Sequence, residues 1–527
     1  MKKGKRLFWS LFITILTGAI LYYLFLPPIN IHSGSFWFFI LVLLTLFGFI
    51  NFGVGVTGIH NRQFNLKNKF NYMPFIAPII IAALILIVNI FNSPLFQAKK
   101  YANRIKVESA DFSSEIKEVD FNSLAIVDRD SSSKLGDRVM GGMGELVSQF
   151  DVSGMYTQIN YNDEIIRVTP LDYSDLIKYF TNRKSGIPGY VIVNSVTGEA
   201  KLVKLNKGMK YSETAMFFEN VYRKLRFKYP FEIFGTLNFE IDNEGEPYWI
   251  MPTIKYSGVG QREDISGIII LDAITGESKK YDIKDIPTWV DHVYSPELII
   301  SQVDDWGAYV NGFFNTIFGQ KGMKMTTDGY NYIAMNDDIY MYTGITSIVS
   351  DESNLGFILT NLRTKETKFF DCPGAEEYSA MDSAKGQVQQ MNYTSSFPIL
   401  INLANRPTYV ISLKDDAGLV KMYAFVDVLD YQKVVVTDAS AGIRNAANNY
   451  LNNNGIVATG EETKIIVKEI QNVTIDGNTY YYIVSEVGDK YRVSIKVNQD
   501  KLPFVKSGDE LTITSNNSEV REIYRLK

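Results

Sequence analysis

Three long apolar runs open the chain, and short alternations of apolar and polar residues follow them. The runs cover residues 7–26, 36–58 and 73–92. Each approaches the ~20 residues that a helix needs to cross the ~30 Å hydrocarbon core of a bilayer. The first run is followed by Pro27 and Pro28 rather than by a signal-peptide cleavage site. The pattern therefore predicts a three-span transmembrane anchor over residues 1–92.

The basic residues of this segment predict its orientation. Residues 1–92 contain no acidic residue and seven basic ones, Lys2, Lys3, Lys5, Arg6, Arg62, Lys67 and Lys69. The positive-inside rule places the N-terminus and the loop at 59–72 in the cytoplasm, so residues 93–527 are predicted to be extracytoplasmic. Lys99, Lys100, Arg104 and Lys106 oppose this orientation. Because no charge lies within a run, a simple anchor in the cell membrane is favoured over a channel or transporter.

Beyond residue 111 the pattern is typical of an α+β region. Short runs of Val, Ile, Tyr and Phe alternate with Gly, Asn and Asp turns, as in antiparallel hairpins. Apolar residues at helical spacing predict helices over residues 173–183, 212–227 and 296–309. In the first of these, Leu176, Ile177 and Phe180 share one face.

One hairpin pattern recurs along the region. Residues 189–201, 267–279 and 356–368 align without gaps as an apolar strand, an Asn or Asp, a Thr-Gly or Thr-Lys turn, then Glu and Lys. Residues 409–421 are a weaker fourth candidate. Asn or Asp binds its own backbone in such turns and Gly tolerates positive φ, so these residues are interpreted as turn formers rather than catalytic groups.

This hairpin pattern resembles that of PepSY-type modules, in which a helix packs on a small antiparallel sheet. The motifs at residues 126–130, 135–138, 187–190, 286–290 and 327–332 also resemble those of uncharacterised membrane-anchored envelope proteins of Gram-positive bacteria. The resemblance implies a bacterial cell envelope setting and the binding or inhibition of another envelope protein. In that scheme, the helix at residues 212–227 lies between the first and second hairpins.

The remaining segments complete the predicted domain organisation. Residues 93–110 are predicted to be a juxtamembrane linker, and residues 111–440 the repeat region. Residues 441–461 are predicted to be a helix and an Asn-rich linker. Four strands joined by Gly-containing turns over residues 462–527 predict a small β-barrel of OB-like or SH3-like size. Residues 461–527 contain eleven acidic and ten basic residues, so strong nucleic-acid binding is not expected.

Composition removes several classes of chemistry. One cysteine and three histidines leave no material for a disulfide framework, a zinc site or an iron–sulfur cluster. The chain after residue 92 has 46 basic and 58 acidic residues, which argues against binding a phosphate backbone. No catalytic residue, metal ligand or cofactor site is therefore predicted. Aromatic residues are the candidate contacts for a ligand or partner, with core packing as the alternative: Trp249, Trp289, Trp306, Tyr480 and Tyr482.

The sequence thus predicts a multi-domain membrane protein with an N-terminal three-helix transmembrane anchor, a large α+β region with repeated antiparallel hairpins and a small C-terminal β-barrel. The favoured function is an extracytoplasmic binding or scaffolding protein, without enzymatic activity, that engages another envelope protein. The alternative is a carboxylate-based hydrolase acting on cell-wall polymer. It would bring together acids from residues 242–246, 304–305, 337–338 and 415–416. The oligomeric state stays open.

Overall fold

The computed structural model describes residues 3–57, 73–348, 353–454, 461–475, 478–495, 498, 500–516 and 519–526. Three helices begin the chain, α1 (Lys3–Phe25), α2 (Gly34–Thr57) and α3 (Met73–Asn92). Each contains a stretch that is long and apolar enough to span a membrane, which confirms the three predicted apolar helices. The loop at 59–72, on which the orientation depends, lies outside the described residues.

The chain leaves α3 as a folded segment. Helix α4 (Pro94–Ala102) packs against a later helix, α9 (Pro296–Tyr309). Strand β1 (Val107–Ala110) pairs in parallel with a strand near residue 370. Residues 93–110 are therefore part of the fold rather than a linker. The other helices are α5 (Phe112–Glu115), α6 (Arg129–Gly141), α7 (Leu176–Asn182), α8 (Val221–Lys228), α10 (Glu377–Gln387) and α11 (Ile443–Asn453).

Four antiparallel sheets of one plan follow. Sheet 1 contains β2 (Phe150–Val152), β3 (Thr157–Tyr161), β4 (Glu164–Tyr173), β5 (Ile187–Asn194) and β6 (Ala200–Met209). Sheet 2 contains β7 (Ile233–Phe234), β8 (Asn238–Ile241), β9 (Pro247–Lys255), β10 (Asp264–Asp272) and β11 (Ser278–Asp282). In each sheet two short strands pair with one long strand, and two further strands continue from its other side.

The plan repeats in the second half of the region. Sheet 3 contains β12 (Lys324–Thr326), β13 (Asn331–Met335), β14 (Asp338–Ser347), β15 (Ser353–Asn361) and β16 (Thr367–Ala375), with β1 beside β16. Sheet 4 contains β17 (Thr394–Ser395), β18 (Ile399–Leu403), β19 (Arg406–Lys414), β20 (Val420–Asp427) and β21 (Val434–Asp438). The helices α6, α8, α9 and α10 precede sheets 1 to 4 in that order.

The recurring hairpin turn has one hydrogen-bond pattern. Asn194 Oδ1 accepts hydrogen bonds from the backbone N–H groups two and three residues later, both at 2.9 Å. Asp272 and Asn361 do the same in sheets 2 and 3. The fourth turn of this kind begins at Asp427, whose Oδ1 accepts from the backbone N–H groups of Leu429 and Asp430 at 2.8 and 3.1 Å. The candidate at residues 409–421 is the preceding hairpin, β19–β20, so it was placed one strand too early.

Helix α9 begins and ends at the predicted residues. Two other predictions differ from the structure in extent. The helix predicted over residues 212–227 is shorter, because α8 begins only at Val221. Asn220 is the residue that caps α8, accepting from Arg223 N at 3.1 Å. The Asn-rich stretch continues as α11, whose Ala446 and Tyr450 are buried against sheet 4, so this part of the predicted linker is helical.

The C-terminal residues form five strands where four were predicted. They are β22 (Glu461–Ile475), β23 (Asn478–Ser485), β24 (Lys490–Ser494), β25 (Glu510–Asn516) and β26 (Glu519–Leu526). Their pairing order is β22, β23, β24, β26 and β25, and β25 pairs again with β22. A separate apolar core that includes Val467, Ile483 and Leu511 lies among them.

Backbone bonds join the anchor to sheet 2. Ile29 N, in the loop after α1, donates to Pro230 O at 2.7 Å, and Gly260 N donates to His32 O at 2.9 Å. At the end of α3, Arg262 Nη2 donates to Asn92 Oδ1 at 3.0 Å. The folded region therefore rests directly on the ends of the three helices.

Candidate functional site

A groove of about 260 Å³ lies between sheets 3 and 4. Residues 332–336 of β13 and the following turn form one wall, and residues 399–402 of β18 form another. The segment at 115–125 and Ile165 of β4 complete the lining. Most of these walls are apolar, since Ile116, Leu124, Ile333 and Met335 contribute to them.

The groove is bordered by strand edges rather than by one face of a sheet. Successive side chains of a strand point to opposite faces, so a run of consecutive lining residues means that the strand borders the groove along its edge. Among the described strands, β13 pairs only with β14, and β18 only with β19. A strand edge of this kind presents backbone donors and acceptors to an added strand.

The chain itself adds an extended segment at one of these edges. Glu118 forms a parallel bridge with Asn402 of β18, and Val119 N donates to Asn402 O at 2.9 Å. The Asn402 side chain is buried and donates from Nδ2 to Ile116 O at 2.6 Å. The edge of β18 therefore accepts backbone pairing in the folded protein.

A polar cluster, most of whose members are buried, joins the sheets beside the groove and is here called the polar junction. It consists of Gln158, Asn160 and Arg167 from sheet 1, Glu240 from sheet 2, Asp291 and His292 from the loop before α9, and Tyr332 from sheet 3. Glu240 accepts hydrogen bonds from the backbone N–H groups of Asp291 and His292 at 2.9 and 3.0 Å. Asp291 Oδ2 in turn accepts from Asn160 N at 2.7 Å. Three sheets therefore converge on this loop.

The protonation states in the polar junction follow from burial. Desolvation raises the pKa values of Glu240 and Asp291, and the Glu240 carboxylate raises the pKa of Asp291 further. Burial lowers the pKa of His292 to about 4, so its ring is neutral at pH 7. His292 Nε2 donates to Gln158 O at 2.7 Å. This hydrogen bond holds the neutral His292 ring in place.

The candidate aromatic residues occupy different surroundings. Trp249 is fully buried in the core of sheets 1 and 2, where Nε1 donates to Tyr211 O at 2.8 Å. It therefore offers no surface to a ligand, because its ring is enclosed. Trp289 is half-buried, with its ring centroid 5.2 Å from that of Tyr248. Trp306 is half-buried beside Phe369.

The two candidate tyrosines lie in the C-terminal strands. Tyr480 is buried, with the Arg492 guanidinium 5.2 Å from its ring centroid, whereas Tyr482 is exposed. Tyr481, between them, is buried in the local core. None of the five candidate residues lines the groove between sheets 3 and 4.

Each candidate acid pair is bonded by its own neighbours. Asp305 on α9 pairs with Arg104, and Asp338 accepts from Arg363 Nε and Nη2 at 2.7 and 2.8 Å. The carboxylates of Asp242 and Asp415 bind backbone N–H groups of their own turns. None of these acids lines the groove. No group of three or more His, Cys, Asp or Glu side chains suited to a metal ion occurs in the part of the chain that the structure describes.

The residues that sequence reasoning missed belong to the polar junction and the groove. Glu240 lies on the short strand β8 and Arg167 on the long strand β4, neither of which carries a motif, and Ile333 and Ile401 read as ordinary strand residues. The available signal was a carboxylate between two apolar residues, since Glu240 stands between Phe239 and Ile241 in a strand whose last three residues are all buried. A carboxylate flanked in this way marks an unusual position for an acid.

Comparisons with known proteins assign no family. No protein-family model matches the chain, and no curated protein matches it. A Trypanosoma rangeli sialidase in complex with the inhibitor DANA is 10% identical, with a TM-score of 0.18 over 70% of this chain and 53% of that one. This chain thus spans about half the length of that sialidase.

Two other solved structures are similarly distant. MPT-1, a GDP-Man-dependent mannosyltransferase from Leishmania mexicana, is 11% identical, with a TM-score of 0.15 over 69% of this chain and 91% of that one. The polysaccharide lyase Uly1 is 10% identical, with a TM-score of 0.16 over 71% of this chain and 81% of that one. These scores are too low to indicate a shared fold.

Proposed function

We propose that this membrane protein is an extracytoplasmic binding or scaffolding protein that holds another envelope protein, and that the groove between β13 and β18 takes an extended apolar segment of that partner. The observation that carries the proposal is the edge of β13, which borders an apolar groove opposite β18. The edge of β18 already pairs at Asn402 with the chain's own segment at Glu118 and Val119, which shows the kind of pairing proposed. An extended peptide gains affinity from backbone pairing at such an edge and specificity from side-chain pockets.

The bonded state of the acids favours binding over hydrolysis. A glycosidase needs two carboxylates that face each other across the substrate, whereas Asp242, Asp305, Asp338 and Asp415 are each engaged by separate partners. The repeated plan of a helix followed by an antiparallel sheet supports the PepSY-like resemblance, which remains part of this proposal. The five C-terminal strands are proposed to be a barrel of OB-like or SH3-like type.

Photo-crosslinking tests the groove. A photoreactive amino acid at Met335 is expected to give one discrete adduct in cells, because Met335 lines the groove. Ala334→Phe should abolish that adduct by filling the groove, while Ala417→Phe, at an exposed turn position, should leave it unchanged. An adduct that survives Ala334→Phe, or no adduct from Met335, would contradict binding at this site.

The orientation is proposed from the basic residues and is tested separately. A protease added to intact protoplasts is expected to remove most of the mass of the protein, since residues 93–527 would be accessible from outside. The control is the same digestion after lysis. Protection of residues 111–527 in intact protoplasts would place the folded region in the cytoplasm and overturn the envelope setting.

A further inference from the structure

Large apolar side chains lie exposed on the part of sheet 1 and α8 that adjoins the anchor. They belong to α7, to the short turn at 217–219 and to α8, and their exposed fractions run from 44% to 70%. They form what is here called the aromatic surface, consisting of Leu176, Ile177, Phe180, Phe217, Phe218 and Phe227. A contiguous apolar surface of this kind marks a contact with another apolar phase or molecule.

Helix α7 turns its apolar side chains towards the outside of the fold. Its apolar face, Leu176, Ile177 and Phe180, is the face that points outward, whereas Tyr179 is fully buried. Tyr179 makes the internal contacts of this helix through its hydroxyl, which donates to Glu219 Oε2 at 2.8 Å. The helix therefore buries Tyr179 in the core and turns its apolar stripe away from it.

Ring contacts join the aromatic surface to the end of α1. The Phe227 ring centroid lies 5.9 Å from that of Tyr22 and 6.3 Å from that of Tyr23. Phe218 is 5.2 Å from Phe227 and 6.1 Å from Tyr23. Tyr22 and Tyr23 belong to the stretch Leu7–Phe25 that is apolar enough to span a membrane. The aromatic surface therefore begins at the depth of the last turn of α1.

The charge around this surface suits lipid phosphates. Helix α8 contains four basic residues and no acidic one. Three of them, Arg223, Lys224 and Lys228, are at least partly exposed, whereas Arg226 is buried. The one acid of the adjoining turn, Glu219, is paired with Arg183. Arg223 lies over the Tyr23 ring, with its guanidinium carbon 4.4 Å from the ring centroid. Exposed Phe and Leu side chains beside Lys and Arg are the combination found in helices that lie in the membrane interface. Aromatic residues are likewise enriched at that depth.

We infer that the aromatic surface is immersed in the boundary between headgroups and acyl chains, in the leaflet on its own side of the bilayer. Continuity with α1 selects lipid as the occupant, because any molecule covering Phe218 and Phe227 meets the bilayer beside Tyr22 and Tyr23. The folded region is then seated on the membrane along a surface, in addition to its covalent attachment. This inference does not depend on the groove or on which side of the membrane the region occupies.

Spin-label accessibility in the full chain tests the inference. In a Cys372→Ser background, Ile177→Cys and Phe180→Cys are labelled with a nitroxide and reconstituted in vesicles of phosphatidylethanolamine and phosphatidylglycerol. Collision with oxygen and with a water-soluble nickel chelate, equilibrated on both sides of the vesicles, is measured by power saturation. The control is Val487→Cys, an apolar position that is 84% exposed in the turn between β23 and β24.

Labels at 177 and 180 are expected to show a ratio of oxygen to nickel accessibility several-fold above that at 487. Equal ratios at the three positions would mean that the surface faces water, and would overturn the inference. Low accessibility to both reagents would mean that protein covers the surface, which overturns it equally. Both labelled side chains are exposed in the fold, so the substitutions remove no core packing.

Discussion

Glu377 provides a test of how burial sets the stability of the repeat region. It is the first residue of α10 and is fully buried, and Thr327 Oγ1 donates to its Oε2 at 2.9 Å. The nearby hydroxyl groups of Tyr342 and Tyr409 are buried as well. Desolvation raises the pKa of Glu377 from 4.5 to about 7. We therefore expect Glu377→Gln to remove a pH-dependent part of the stability.

The sign and size follow from proton linkage. Between pH 4.5 and about 7 the folded protein holds the Glu377 proton and the unfolded chain has lost it. The folded state binds more protons, so the free energy of unfolding falls as pH rises through this window. At about 1.4 kcal/mol for each pH unit, the contribution lost is about 3 kcal/mol. Gln has no proton to lose, so the variant lacks this decline.

Hydrogen exchange of the α10 amides, corrected for intrinsic exchange rates, is the suitable assay. The difference in opening free energy between wild type and Glu377→Gln should change by about 3 kcal/mol across the window. Asp382→Asn, on the same helix but at a side chain that is 74% exposed, should show no comparable change. An opening free energy that depends on pH in the same way in wild type and Glu377→Gln would refute the reasoning.

A local measurement is needed because His292 acts in the opposite direction. Burial lowers its pKa from 6.5 to about 4, so the unfolded chain binds a proton in this window that the folded protein does not. The free energy of unfolding then falls as pH decreases from 6.5 towards 4. Between pH 4.5 and 6.5 the two contributions oppose each other, and a single unfolding temperature would conceal both.

Two further predictions concern the recurring turns and the anchor. Gly276 and Gly198 both have positive φ, but an added Cβ would lie 2.2 Å from the Tyr211 ring at Gly276 and no closer than 3.6 Å to any atom at Gly198. Gly276→Ala should therefore reduce the free energy of unfolding by about 1–3 kcal/mol more than Gly198→Ala, because of overpacking. The unfolding temperature in detergent should be correspondingly lower for Gly276→Ala, and equal temperatures would contradict this. Arg226→Ala removes a hydrogen bond to the end of α1 and should speed exchange of the Ile29 amide by about ten- to a hundredfold, whereas unchanged exchange would show that the docking does not need Arg226.

Local physics made part of the fold predictable. Predicting the three apolar helices required only their length and apolar content. The start of α9 is set by Ser295 and Pro296, and the Ser295 hydroxyl accepts from Leu298 N at 3.3 Å. The turns at Asn194, Asp272 and Asn361 were readable because the side chain that forms each turn bonds its own backbone. Information for these elements lies within a few residues.

Elements that depend on distant partners were not predictable in the same way. The turn at Asp427 has the bond pattern of the other three, but Val428 and Leu429 follow it without the Thr and Gly of the sequence pattern. Helix α7 was predicted from the shared apolar face of Leu176, Ile177 and Phe180, although the core receives Tyr179 instead. The polar junction joins residues more than 130 positions apart, such as Asn160 and Asp291. No spacing rule connects them.

The polar junction gives the groove a fixed position relative to the membrane. Sheet 2 carries the bonds to the anchor, through residues near 230 and 260. Glu240 of the same sheet binds the loop that contains His292, and the His292 ring lies 5.6 Å from that of Tyr332, which lines the groove. These contacts connect the anchor to the groove through a series of directly bonded residues. Because burying a carboxylate such as Glu240 is costly unless its oxygens are bonded, separating the loop from sheet 2 would leave that group unsatisfied. The hydrogen bonds that satisfy the buried Glu240 carboxylate therefore also hold the groove in position relative to the three-helix anchor.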